Sequence, residues 1–569
     1  MMQYKKNHYF TNAELEAFLK QCEKQYPQLC TLETIGSCPS GKSIWLLTIT
    51  DRETGSHQEK PAYWVDGNTH ANELAGSQAC IYLIHHVLSQ CDANSEIKQL
   101  LGRSTFYVVP RISVDGVESI MTRHYNIRSS DQLWPHKNLL PGFYEEDIDG
   151  DGHTSGMRIE DPAGPWKVSK KDPRLMLLRE PDDCDPNETY YQLLPEGQLY
   201  PDKNAPFVFR NRFGIDMNRQ FPTNWEPQNL QQGSGEAALS QSESRAVYDA
   251  IVARPNIVGA QSFHTFSAVI LRPLLNQEDH EMDFTDLEVY KALGKRGTEI
   301  TDYPNISVFQ DFCYHPKKKF YGSFLEWAYN SRGIYAFTNE MWHLAKKAGV
   351  EVGPAVDWFA RASDEDKICS MLKWCDDNLQ PGTYFKEWKP FDHPQLGKVE
   401  LGGWKGLYVW SNPPHEFLQE EVEKNVGFVL ACAKSNPHVV LHEQNIEQVT
   451  SSSEEKISTL RLTVKNQGYL PTYGSSVAKQ KGTCYPARMY AEASSGLEIL
   501  QGEADRQVEH LQGRYANLFE RSMAASTVFR SGRSLNAMAS FEWTVKGTGT
   551  LHVKIDYAKG GVFRHTFEV

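Results

Sequence analysis

The sequence predicts an α/β fold, with a mixed, mostly parallel twisted sheet flanked by helices, followed by a small all-β sandwich domain. Three observations predict it. Short apolar strand segments alternate with helical periodicities through the first two-thirds of the chain, the pattern of strand–helix–strand units. Several of those strands run straight into polar residues, as in open sheets that place ligands beyond their carboxyl ends. From about residue 436 the pattern turns to short alternating strands such as Leu551-His552-Val553-Lys554-Ile555, which suit a sheet with one wet face.

In chain order, Thr11 to Tyr26 carries Leu15, Phe18, Leu19 and Cys22 at helical spacing behind Asn12, a candidate cap. Ile44 to Thr50 and Ala62 to Val65 read as strands. A turn at Gly67-Asn68-Thr69-His70 leads into a long helix from about Leu74 to Leu88, and Thr105 to Pro110 forms a further buried strand. Phe207-Val208-Phe209, Ile257 to Phe263 and Gly333 to Phe337 extend the series. Between about 123 and 206 the periodicity gives way to Asp, Gly, Pro and Lys. A structureless loop of that length is unusual, so the stretch reads as an insertion forming a rim or lid. These boundaries give a catalytic-size domain at 1–382, a connector at 383–434 containing a helix from about Glu416 to Ala433, and a β-sandwich at 435–569. Ser458 to Val464, Gly547 to Asp556 and Val562 to Val569 are its clearest strands.

The chain has 569 residues, 40% hydrophobic and 23% charged, which suits two or three folded domains and excludes a disordered chain. A net charge of -13 argues against nucleic acid or an anionic membrane as the main partner, since phosphate neutralisation needs clustered Lys and Arg. The tight basic run, Lys317-Lys318-Lys319, reads as a solvated loop. The N-terminus has basic residues without a following apolar stretch, so a soluble, cytoplasmic protein is expected. Eleven cysteines without C-x-x-C spacing cannot all pair within one chain and suit a reducing compartment.

His70-Ala71-Asn72-Glu73 lies where a strand ends in a tight turn. Imidazole nitrogen and carboxylate oxygen are the donors of a catalytic zinc, which keeps three protein ligands and one open position. The pattern alone is weak: His-x-x-acid occurs three times here, against roughly two expected by chance. The other two, His280-Glu281-Met282-Asp283 and His565-Thr566-Phe567-Glu568, lie in a polar loop and the last strand.

The first match stands in an ordered set: Gly36 to Ile44, then His70-x-x-Glu73, Gly214-Ile215-Asp216-Met217-Asn218-Arg219-Gln220-Phe221-Pro222, Ser262-Phe263-His264-Thr265-Phe266 and Phe337-Thr338-Asn339-Glu340. This set resembles the zinc carboxypeptidase A superfamily over roughly Tyr9 to Trp342. The resemblance implies a carboxypeptidase-like fold, a single Zn2+ held by His70, Glu73 and His264, and Glu340 as the group that takes and returns a proton. Tyr335, Phe337 and Trp342 shield Glu340, which predicts a raised pKa. The resemblance assigns Asn218 and Arg219 to a substrate's terminal carboxylate, for which a guanidinium offers two parallel donors. The implied substrate is therefore a peptide with a free C-terminal carboxylate.

Two of the implied roles have alternative holders. Arg210 and Arg212 both precede Gly214, and Arg210 is preferred as the group polarising the scissile carbonyl. Tyr314 and Tyr321 both fall near the Gly322-Ser323 helix start, with Tyr321 the candidate for closing the site, and Leu325 is the expected side-chain pocket residue. Ser113-Val114-Asp115-Gly116 departs from the family's usual Asn-Pro-Asp-Gly. Within the insertion, Asp147-Ile148-Asp149-Gly150-Asp151-Gly152 spaces its carboxylates like a calcium loop but has Arg158 at the twelfth position, leaving either a Ca2+ site or an acidic turn. Against C-terminal peptide hydrolysis stand two alternatives: the same metal chemistry on a cell-wall peptide or acyl-amino-acid amide, and a non-catalytic binding protein on this scaffold.

Overall fold

Alternating buried strands and helices assemble, in the computed structural model, into an eight-stranded sheet. Its order is Cys30–Ser37, Ser43–Ile49, Thr105–Val109, Ala62–Gly67, Ile257–Thr265, Tyr335–Met341, Val269–Arg272 and Asn305–Ser307. The structure describes residues 4–312, 319–353, 364–452, 455–515 and 537–569. The four strands from Thr105–Val109 to Tyr335–Met341 run parallel, and antiparallel pairs join the flanks to them. The central strands are buried on both faces, so they read as continuous apolar runs.

Helix Leu74–Gln90 is apolar nearly all round, as a helix sandwiched inside a protein must be. It packs against strands Ala62–Gly67 and Ile257–Thr265 and against helix His415–Lys434, which in turn meets helix Phe284–Thr301. The first helix, Asn12–Gln25, is capped by Thr11 rather than Asn12: Thr11 and Glu14 bond reciprocally, and Asn12 instead bonds Val114 and Glu118.

The insertion and the expected connector form one unit. Strands Gly156–Glu160, Trp166–Val168, Met176–Leu178 and Tyr190–Pro195 join the hairpin Phe385–His393 and Gly397–Trp404 in a six-stranded sheet. The boundary at 383 is therefore corrected, because this hairpin supplies two strands and tryptophans to the rim. Helix His415–Lys434 likewise belongs to the catalytic body. Phe207-Val208-Phe209 is not a sheet strand. Phe207 and Phe209 are 52% and 53% exposed and lie against the ring of Phe143, with one bridge between Phe143 and Phe209.

The C-terminal region packs two four-stranded antiparallel sheets around Leu460, Leu462, Val464, Phe541, Trp543 and Ile555. Buried Leu462 and Val464 alternate with Arg461 and Thr463 on the wet side. Asp286, in the catalytic body, ties this region down. Its carboxylate accepts from Ser476 N at 2.9 Å and Val477 N at 3.2 Å, and from the hydroxyls of Tyr335 and Tyr329. Buried Lys559 donates to the Ile257 carbonyl, and Ser475 Oγ donates to Gly333 O.

Candidate metal centre

Three elements converge at the carboxyl ends of the parallel strands. His70 follows strand Ala62–Gly67, Glu73 immediately precedes helix Leu74–Gln90, and His264 lies near the end of Ile257–Thr265. Two glycines allow the approach. A side chain at Gly76 would stand 2.7 Å from the Phe263 carbonyl oxygen, and one at Gly116 would stand 2.1 Å from Ser129 O. The Asp-Gly half of the altered strand-end motif is thus kept for packing.

The donor atoms face one another. His70 Nδ1 lies 2.9 Å from Glu73 Oε1, His264 Nδ1 lies 2.9 Å from Glu73 Oε2, and the two Nδ1 atoms are 3.0 Å apart. All three residues are buried. Two imidazole nitrogens and a carboxylate turned inward at this spacing, with donor atoms within 4.8 Å of one another, fit a single zinc ion. Burial pushes His264 below its ordinary pKa despite the Glu73 charge, favouring the neutral form that ligates metal.

The outward nitrogens are held too. His70 Nε2 lies 3.1 Å from Asp216 Oδ1. His264 Nε2 lies 3.3 Å from Ser262 Oγ, which donates to Asp66 at 2.6 Å. Such outer partners fix ring orientation and donor strength. Asp216 Oδ1 also accepts Asn218 N at 2.8 Å, joining the metal ligands to the Asn218-Arg219 turn. Burial alone would raise the Asp216 carboxyl, but Arg219, His70 and Arg128 hold it well below the carboxylate range.

Glu340 sits opposite His264 in the parallel register of adjacent strands, so both side chains project from the same face. Desolvation, reinforced by the charge of Glu73, pushes its carboxyl well above the usual value against the pull of Arg128 and Arg219. The direction matches the sequence expectation but the cause differs, since Tyr335 and Phe337 project from the other face of the strand and pack on Tyr290 and Phe428.

Arg128 is the guanidinium at the trio, which corrects the expectation placed on Arg210. Arg128 donates to Glu73 Oε1 at 2.7 Å and lies 3.4 Å from Asp216 Oδ2. Arg210 turns its Nε toward Pro141 O at 3.4 Å, and Arg212 pairs with Glu146. The sequence reading missed Arg128 because it began the insertion at 123. Fully buried Ile127 beside it was a sign that the catalytic body continues to about Ser130.

Arg219 lies over the Phe320 ring at 4.9 Å, and Asn218 Oδ1 accepts Phe324 N at the start of helix Phe324–Asn330. Tyr321 is half-buried, with its backbone N on Gln231 Oε1; it lies in this loop rather than on the trio. Leu325 is 3% exposed within the apolar cluster that holds Phe320, Phe324 and Trp327. Tyr314, Lys317 and Lys318 fall outside the described residues.

In the acidic loop, donor atoms of Asp147, Asp149 and Glu196 lie within 4.8 Å of one another, and the loop also holds a cation of its own. Lys386 Nζ lies 2.6 Å from Asp149 and 2.7 Å from Asp151, placing an ammonium among the carboxylates. Asp147 accepts Gly150 N and Gly152 N, and Glu196 accepts Ile148 N and Asp149 N, closing the loop internally. Arg158 is a strand residue paired with Glu400 at 2.7 Å.

An α/β sheet presenting a buried His–Glu–His trio at its strand ends, with a shielded acid alongside, defines a zinc-dependent hydrolase. The chain belongs to the zinc carboxypeptidase family, whose model matches residues 15–348. Residues 440–568 match a domain of unknown function. Carboxypeptidase M of Mus musculus is 26% identical over 106 residues, 19% of this chain and 24% of that protein. Carboxypeptidase D of Homo sapiens is 23% identical over 117 residues, 21% of this chain and 8% of that protein. The matches thus span a quarter or less of these relatives. Carboxypeptidase A from Helicoverpa armigera aligns with a TM-score of 0.40 and 16% identity over 66% of this chain and 75% of that one.

Proposed function

We propose that the chain hydrolyses the C-terminal peptide bond of a peptide bearing a free carboxylate. The observation that carries this reading is Asp216. One carboxylate orients the ligand His70 and fixes the Asn218 backbone beside Arg219, so the metal ligands and the carboxylate-recognising turn share one frame.

His70, Glu73 and His264 would hold the zinc ion, which would supply Lewis acidity for a carbonyl and a water molecule. Asn218 and Arg219 hold the terminal carboxylate and so set which bond lies at the trio. The Arg128 guanidinium faces the carbonyl oxygen and stabilises the negative charge that develops there. Glu340 takes a proton from the attacking water and returns it to the leaving amine; its desolvated carboxyl holds a proton more readily than one in water. Leu325 and its aromatic neighbours favour a neutral or apolar released residue over Lys or Arg.

The test compares blocked dipeptides with free-acid and amidated C-termini on zinc-loaded protein. The free acid is expected to be cleaved with a kcat/KM larger by about 100-fold. Equal rates would remove the carboxylate role of Asn218 and Arg219, and activity confined to muropeptides would move the substrate to the cell wall.

A further inference from the structure

The cleft continues past the metal ligands. Asn72, between His70 and Glu73 in the chain, lines two cavities of about 360 and 430 Å3, and neither wall includes Asn218 or Arg219. The two share Asn72, Tyr125, Asn126 and Glu145, so they adjoin as two parts of a trench, with Arg128 lining one part and Lys405 the other. A peptide with its carboxylate at Asn218-Arg219 and its last bond at the trio sends its preceding residues this way.

The trench is unevenly charged. Its walls carry Arg128, Arg210, Arg212 and Lys405 against a single acid, Glu145. Burial pushes the Glu145 carboxyl above its ordinary value, with Asn126, Arg212 and Thr154 opposing. Arg128 and Arg212 are committed to Glu73 and Glu146, and Arg212 also lies between the rings of Tyr125 and Tyr144 at 5.0 and 5.2 Å. Among the described residues no carboxylate forms an ion pair with Arg210 or Lys405. What sets these two cations apart is their place: Arg210 lines one part of the trench and Lys405 the other.

Arg210 is also a built position. Its backbone N donates to Phe143 O at 2.9 Å, Phe143 N donates to Val208 O at 2.8 Å, and its stem lies over Gly142, where a Cβ would meet Arg210 Cγ at 2.5 Å. Lys405 follows strand Gly397–Trp404, with its backbone N on Tyr384 O at 2.9 Å. Arg210 is thus fixed against strand Gly142–Glu145, and Lys405 at the end of the rim hairpin.

We propose that this trench receives acidic residues on the N-terminal side of the scissile bond, with Arg210 and Lys405 as the specificity-determining residues. The substrate class is an acidic peptide, and the inference rests on the peptidase reading above. Two carboxylates entering the trench pair with two cations that, among the described residues, have no carboxylate partner, and the wall acid Glu145 stands between them and selects against a longer run of charge.

The experiment uses full-length, zinc-loaded Glu340→Gln protein and fluorescent peptides ending in the same residue, with Glu-Glu, Ala-Ala or Lys-Lys before it. The Glu-Glu peptide is expected to bind about tenfold more tightly than Ala-Ala, with Lys-Lys weakest. In the Arg210→Gln/Lys405→Gln background the Glu-Glu to Ala-Ala ratio falls to near one, and raised salt shrinks it in the parent. Equal binding of the three peptides, no binding of any, or a ratio that survives the double substitution overturns the proposal. Turnover by the Glu340 protein separates the two readings. Acid-selective binding without cleavage leaves the trench and removes the peptidase; cleavage with no acid preference removes the trench alone.

Discussion

The His70–Glu73–His264 trio and the Asp147–Asp151 loop both gather metal-ligating side chains, yet the protein finishes them differently. In the loop, Lys386 brings its own positive charge to Asp149 and Asp151, while backbone N–H groups occupy Asp147. Burial works against the Lys386 charge, and the two carboxylates outweigh it and raise its pKa. At the trio, Arg128 touches one oxygen of Glu73 from the side, and both inward imidazole nitrogens still point at each other. The difference lies in what faces the carboxylates: an ammonium between two of them in the loop, two imidazole nitrogens beside one of them at the trio. Glu326 is a third case. It is fully buried and bonded to Asn224 at 2.9 Å, with no cation paired to it among the described residues. Burial pushes its pKa up to about 7 against the hydrogen bonds from Asn224 and the Leu275 backbone, so below neutral pH a proton takes the place of a cation here.

The largest effect belongs to the trio. Chelation is expected to abolish hydrolysis and lower the melting temperature, zinc to restore both, and calcium to restore neither. His264→Ala should lose bound zinc by elemental analysis, whereas Glu340→Gln should keep it while losing about 1000-fold in kcat. Full zinc content in the His264 variant would break the assignment.

Glu326 comes next, and its sign runs opposite to a salt-bridged acid. The native state holds a proton that the unfolded chain releases near its ordinary value of 4.5, so the stability linked to Glu326 is greatest below that pH and declines up to about 7. Glu326→Gln should remove this decline and make the protein about 2–3 kcal/mol more stable than its parent at pH 8. Denaturant unfolding at pH 5 and pH 8 measures it, and parallel pH slopes in the two proteins would show that Glu326 ionises freely.

The smallest effect is at Lys386. Lys386→Met should cost about 1 kcal/mol, since the pair is partly exposed, and should allow calcium to raise the melting temperature of the variant. An equal calcium shift in the parent would show that the lysine does not close the loop.

Much of the trio was legible because its residues sit at fixed places in strand–turn–helix units whose apolar periodicity is strong. His70 ends a buried strand, Glu73 precedes a long apolar helix, and His264 and Glu340 lie on neighbouring parallel strands. The eight-stranded sheet and the two-sheet C-terminal region were readable for the same reason. Arg128 was not, because it lies on an irregular segment held by tertiary bonds: Ala71 N to Arg128 O at 2.7 Å and Ser129 Oγ to Thr69 O at 3.0 Å. Those bonds leave no periodicity. Lys386 was hidden by distance along the chain, since no local pattern links it to Asp149. The Phe207–Phe209 run misled because apolar residues in a strand and apolar residues stacked on a surface ring look alike over three positions.

The six-stranded rim sheet has a practical consequence. Strand Gly156–Glu160 pairs on one side with Tyr190–Pro195 and on the other with Gly397–Trp404, so the rim is knitted from two stretches of chain that flank the catalytic strands. Neither stretch can be trimmed alone without baring a sheet edge. A shortened enzyme, or a rim transplanted onto another scaffold, has to move both stretches together.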